Sequence, residues 1–367
     1  MSREREMILE MLKDGKITND EALKLLDAIG ENKNQEKKNT SYNKVFDDSF
    51  VDKVTDSISK IGTKTEEAIK KLNLDNLWEG ISVNIGSCFE DLNARTRQEY
   101  IHDLNEDGQV KSIDVENIRG RLDVITDLSD QIKVEIDIKY DERDNKNNKN
   151  DYYDIYLEGD TLKVKPKFKK YKADSYISDI RLTLPKRNFE EIKLENVSGC
   201  IDAEGLNAND ANIEAVSGKV MVKNSKMDKA NIEAVSGKVE IENISGTNLN
   251  ASTVSGKVVA DEIDYKNAYL ETVSGKVEID GIKSSTEKID IEVVSGSINL
   301  GLDGLDKPVK LIGRRKKRSN SREFFGYKFT RFEEIGNKII AYTDDYVDDE
   351  TSLIINVESS FGSVNID

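Results

Sequence analysis

Apolar residues in the second half of this chain fall into columns. Between residues 196 and 297 a Val-Ser-Gly triplet recurs six times, with valine or isoleucine two residues after each glycine. The glycines are Gly199, Gly218, Gly237, Gly256, Gly275 and Gly296, separated by 19, 19, 19, 19 and 21 residues. Aligned on them, Ile201, Val220, Val239, Val258, Val277 and Ile298 form one apolar column. Leu194, Ile213, Ile232, Ala251, Leu270 and Ile291 form another, five residues before the corner. Polar residues alternate with them, so the period is two, as strands with one buried face require. A constant period of this size predicts a solenoid whose rungs cannot bury their apolar faces alone. The expected fold is mainly β, a parallel β-solenoid of about 19-residue rungs, each two short strands meeting at Ser-Gly. An antiparallel meander or sandwich is the rival arrangement.

The recurrent glycine has a mechanical reason. A corner needs positive φ, or an approach too close for a Cβ, and glycine meets either. The preceding serines, Ser198, Ser217, Ser236, Ser255, Ser274 and Ser295, read as turn residues bonding nearby backbone. Alternation begins earlier, near Ile113, where NIRGRL (Asn117 to Leu122) is a degenerate copy of NVSGCI. It returns at the end in FGSV, and the last 30 residues are expected to cap the stack.

Ahead of the β-region the period is helical. Met7, Ile8, Met11 and Leu12, then Ala22, Leu23, Leu25, Leu26 and Ile29, predict a hairpin over residues 2–29. Asp14-Gly15 stops its first helix, and Thr18 with Glu21 forms a capping box for the second. Residues 30–42 are a polar linker, and Phe46, Phe50, Val51, Val54, Ile58 and Ile61 mark an amphipathic helix. The chain therefore divides into 1–30 (hairpin), 31–100 (linker and amphipathic helices) and 110–367 (β-solenoid, with repeats at 190–302 and a C-terminal cap). So small a hairpin needs a protein partner or self-association to be stable.

Composition narrows the chemistry. The 367 residues carry a net charge of -16, which argues against nucleic-acid binding. Cys88 and Cys200 are the only cysteines and form no CxxC or Cys/His cluster; whether they pair is open. Asp14 to Glu21 faintly resembles half a calcium loop, but Leu12 would take a ligand position, so no metal is expected. No cofactor motif such as GxGxxG or a P-loop is present. No export signal or membrane-spanning run stands in the sequence, so the expected location is the cytoplasm or the cytoplasmic face of the membrane, with non-classical surface exposure as the alternative.

Three charged features are candidates for function. Glu195, Glu214, Glu233, Glu271 and Glu292 share a column expected to line a solvated outer face; a ladder of like environments does not split pKa values as acid–base catalysis needs. The sole histidine, His102, lies outside the repeats, so no Ser-His pair forms on a repeat serine, and no catalytic residue is expected. Lys219, Lys238, Lys257 and Lys276 follow four consecutive corner glycines, stacking like charges about 5 Å apart. Their offset is either internal, from residues such as Glu240 and Glu278, or a bound anionic polymer or headgroup. Arg314, Arg315, Lys316, Lys317 and Arg318 concentrate positive charge in an acidic chain and are candidates for an anionic membrane surface or wall polymer.

The opening MSREREMILEMLKDGKITNDEALKLLDAI resembles the short helical domain of the YvlB/LiaX (SHOCT-like) type, and the VSGKV repeats are similar to the DUF4097 toast-rack domain. The resemblance covers roughly residues 2–30 and 110–367. It implies a non-enzymatic protein of Gram-positive bacteria linked to the cell-envelope stress response, with the β-rungs as interaction scaffold. The alternatives are an adhesin-like surface module binding polysaccharide or anionic wall polymer and, more distantly, a carbohydrate-active enzyme.

Overall fold

The structure, a computed structural model, describes residues 94–103, 110–140, 152–167, 176–314, 329–336 and 338–366. The predicted hairpin and amphipathic helix lie outside these residues. The core of the fold is a parallel stack built from β2 (Ser112–Asp127), β7 (Phe189–Glu204), β8 (Asn207–Asp280), β9 (Lys288–Leu300) and β13 (Leu353–Ile366). β8 alone is 74 residues of extended chain that turns at every corner and supplies the central rungs.

Register follows the glycines. Gly120 pairs with Gly199, Gly199 with Gly218, Gly275 with Gly296, and Gly296 with Gly362. The degenerate NIRGRL and the closing FGSV are therefore full corners. Stacking in this register lays each apolar column on itself: Leu194 on Ile213 and Ile201 on Val220, all fully buried. Burial of such columns is the main favourable term, and it is available only between rungs.

The glycine column meets both of its mechanical reasons. Its φ angles run from 121° at Gly120 to 150° at Gly275, and a Cβ on Gly237 would lie 1.7 Å from the carbonyl oxygen of Gly218. A second corner lies six residues further on. There Gly205, Asn224, Asn243, Glu262 and Gly281 take left-handed φ angles of 49–76°. Glycine and asparagine tolerate that region best and fill four of the five positions.

At each end the first added strands are still parallel to the stack and only the strands beyond them pair antiparallel, which is as far as the meander reading holds. At one end β6 (Tyr176–Pro185) lies along the later half of β2, followed outward by β3 (Gln131–Tyr140) and β1 (Ala94–Asp103). The earlier half of β2 carries β5 (Thr161–Pro166) and β4 (Tyr153–Glu158). There Tyr152, Tyr153 and Tyr176 pack together, and the Tyr153 hydroxyl bonds Asn117 Oδ1 at 2.7 Å and Ser178 Oγ at 2.6 Å. At the other end β13 is a rung on β9, and β10 (Val309–Arg314), β12 (Lys338–Thr343) and β11 (Phe329–Ile335) lie beyond it. The final strand is thus enclosed, and β11 forms the outer edge.

Candidate functional site

Two ladders flank the glycine corner. One residue past it stand Arg121, Cys200, Lys219, Lys238, Lys257 and Lys276, in register from rung to rung. Two residues further on, the side chains alternate: Met221, Glu240, Val259, Glu278. Each carboxylate therefore serves two lysines. Glu240 meets Lys219 at 2.7 Å and Lys238 at 2.9 Å, and Glu278 meets Lys257 and Lys276. Hydrogen bonds from Lys219 and Lys238 hold the Glu240 carboxyl down to about 2. Burial works against ionisation of Glu278, but its two lysines still draw it below the usual carboxylate range. Arg121 completes the strip by bridging Asp123 at 2.6 Å and Asp202 at 2.7 Å. The four candidate lysines thus sit on carboxylates of their own strip, with a third or more of each side chain still exposed.

The ladder before the corner has the opposite character. Four residues ahead of each glycine stand Glu116, Glu195, Glu214, Glu233, Ser252, Glu271, Glu292 and Glu358. Sequence alignment on the six regular triplets had missed Glu116 and Glu358, which the outer corners at Gly120 and Gly362 bring into line. This column is less solvated than an outer face implies: Glu195, Glu233 and Glu271 are only 6–7% exposed. Stacking explains part of this, since each side chain has a neighbour about 4.8 Å above and below it. Burial pushes the Glu116 and Glu214 carboxyls up, with adjacent carboxylates adding to the effect. Their relief is local: Lys165 bonds Asp114 at 2.6 Å and also reaches Glu116, Lys193 bonds Glu195 at 2.6 Å, and Asn212 donates to Glu214 at 2.6 Å.

Beside this column runs an amide ladder that sequence reasoning passed over. Asn250 donates to Asn231 at 2.6 Å and Asn231 to Asn212 at 2.7 Å. A second ladder follows the second corner, where Asn243 donates to Asn224 at 2.8 Å and Asn224 to Glu204 at 2.9 Å. The latter edges a cleft of about 590 Å³ whose walls include Ile125, Lys186, Leu206 and Ser225. Asparagine repeating at 19-residue spacing was the available signal.

The remaining candidates do not converge with these ladders. Arg314 ends β10, paired in backbone register with Lys338, while Arg315, Lys316, Lys317 and Arg318 lie outside the described residues. Cys200 is a free, exposed thiol between Arg121 and Lys219, and Cys88 lies outside the described residues. His102 stands on β1 opposite Ile132. Among the described residues no group of three His, Cys, Asp or Glu side chains is placed to hold a metal ion, and no helix is long and apolar enough to cross a membrane.

Comparison with known proteins places this geometry. No curated protein matches the sequence. A solved structure from Clostridium sporogenes, provisionally named a cell adhesion protein, is 16% identical, with 74% of this chain and 99% of that one aligned at a TM-score of 0.24. A provisionally named adhesin from Parabacteroides distasonis is 13% identical over 57% of this chain and 91% of its own, at a TM-score of 0.34. Residues 3–34 match the SHOCT-like domain family model. The Toastrack DUF4097 model matches residues 110–310, more than half of the sequence and all of the regular rungs. The chain belongs to the Toastrack DUF4097 family.

Proposed function

We propose that this chain is a non-enzymatic binding and regulatory protein of the bacterial cell-envelope stress response, with its β-rungs as the interaction scaffold. One observation carries the reading: successive rungs repeat like side chains at several positions, so much of the surface beside the glycine corner consists of ladders, the lysines after it and the glutamates before it. Catalysis needs unlike groups converging on one point, whereas a long contact with a partner suits a ladder. Its partners are a protein bound through the N-terminal residues, or an anionic membrane surface met by Arg314 to Arg318. The test is fractionation of untagged protein from unstressed and antibiotic-stressed cells, with external protease. Membrane-bound, protease-protected protein under stress supports an internal regulator; protein that stays wholly in the cytosol under stress overturns the envelope assignment.

The four lysines at one-rung spacing favour a second reading, an adhesin-like module for an anionic wall polymer. On that reading the polymer displaces Glu240 and Glu278 from the strip, and the protein is accessible to protease at the cell surface. Replacing Lys219, Lys238, Lys257 and Lys276 by glutamine would then abolish polymer binding, and unchanged binding rules the strip out.

A further inference from the structure

Among the described residues three strands have one paired edge: β4, which lies on β5 off the main path, and β1 and β11, which stand at the two ends of the sheet. β1 pairs with β3 alone and β11 with β12 alone. Such edges present backbone N–H and C=O groups ready to pair with another chain. We propose that β11 of one copy of this protein adds antiparallel to β1 of the next, joining copies head to tail.

Side-chain order selects one register. With Glu333 opposite Arg97, Arg331 falls opposite Glu99, so both directly facing charged pairs are of opposite sign. Shifting β11 by two residues in one direction sets Arg331 against Arg97, and in the other sets Glu333 against Glu99. In the favoured register the inner faces also agree. Phe332 of β11 meets Gln98, and next to Gln98 stands Tyr100; Phe332 and Tyr100 each pack on the hydrophobic core of their own copy. The joint therefore continues both the core and the charge pattern across the boundary. It spans five residue pairs, Arg331 to Ile335 against Glu99 to Arg95, because the bulge between Phe329 and Arg331 ends the regular edge of β11.

Existing contacts permit the exchange. Arg97 is held by Asp137 at 2.7 Å and Glu99 by Lys133 at 3.0 Å in exposed pairs, the Arg331 guanidinium lies 4.3 Å from the Tyr342 ring centre, and Glu333 accepts from the Tyr342 hydroxyl at 3.2 Å. Exposed pairs of this kind cost little to rearrange. The two surfaces differ, so the contact is heterologous, and its repetition gives a ring or an open filament. A scaffold of rungs would thereby extend beyond one molecule.

The experiment is sedimentation velocity of the full chain across a concentration series, with circular dichroism confirming the fold of each variant. Wild-type protein is expected to associate reversibly. Arg97→Glu and Glu333→Arg should each weaken association by at least about tenfold, because like charges then face each other. An equimolar mixture of the two single variants should regain it, since each offers the end that the other needs, and so should the double variant. That recovery would not occur if a single variant had merely lost its fold. Wild-type protein that stays monomeric throughout, association unchanged in both single variants, or variants that fail to complement each overturn the proposal; the second outcome assigns assembly to another part of the chain.

Discussion

The two corners of a rung face similar backbone demands and answer them differently. At the first, six regular repeats and both outlying ones use glycine without exception; at the second, the same stack uses glycine, asparagine and once glutamate. Positive φ is common to the first corners from Gly120 to Gly296 and to the second, so φ alone does not explain the difference. What separates them is the neighbour. A Cβ at the first corner would strike the carbonyl oxygen of the glycine one rung earlier, at 1.6–2.0 Å from Gly199 to Gly296. At the second corner Asn224, Asn243 and Glu262 carry side chains, so its middle rungs leave room for a Cβ, whereas at Gly205 and Gly281 a Cβ would come within 2.4 Å of Thr126 and 2.8 Å of Glu262. A stacked corner is thus dictated by the rung below it as much as by its own dihedrals.

The largest break in this comparison is Gly237→Ala. It combines an unfavourable φ of 143° with the collision against Gly218, and the rungs on both sides must shift. Chemical denaturation should show a loss exceeding about 3 kcal/mol. Asn243→Ala tests the second corner, where only the left-handed conformation and the amide bond to Asn224 are at stake. Thermal unfolding should register a loss of about 1–2 kcal/mol. Glu262→Asn sharpens the contrast in the opposite direction: it replaces the one second-corner residue poorly suited to its φ of 51° and continues the amide ladder. A gain of about 0.5–1 kcal/mol is expected, since the exposed ion pair to Lys283 that is lost contributes little.

Between the corners lies the lysine strip, and acid is its mildest probe. Glu240 titrates lower in the fold than in the unfolded chain, so its contribution is complete above its unfolded pKa and is lost as pH falls from about 4.5 towards 2. Comparing Glu240→Gln with wild type, the difference should be about 1 kcal/mol or less at neutral pH and vanish across that window. A difference that persists at pH 2 would mean that packing, not charge, explains the effect.

Much of this was legible in the sequence because a solenoid writes its contacts as a period. The glycine column and the apolar columns on either side followed from spacing, and the outlying corners at Gly120 and Gly362 from the likeness of NIRGRL and FGSV to the repeat. The second corner was not read, because Gly205, Asn224 and Glu262 share a dihedral angle rather than a residue type. The ends were less legible for a related reason. β1, β3, β6 and the strands beyond β13 pair with partners of unrelated sequence, mostly antiparallel, so no period marks them, and β13 enters ahead of β10 in the sheet although it follows it in the chain. Of the candidate residues, the lysines were visible as a ladder, but their sharing of Glu240 and Glu278 depends on Met221 and Val259 taking the alternate positions. The burial of the glutamate column depends on three-dimensional surroundings that a strand pattern does not encode.

The central claim is that these columns are one continuous stack, and its most direct test is a distance across it. Cys200 and Ser363 both stand one residue past a corner glycine and both are exposed, six rungs apart through Lys219, Lys238, Lys257, Lys276 and Ser297. With Cys88→Ser and Ser363→Cys, spin labels on the two thiols can be measured by double electron–electron resonance. In-register stacking predicts a backbone separation of about 29 Å with a narrow distribution, whereas a separation below about 20 Å or above about 40 Å would contradict it.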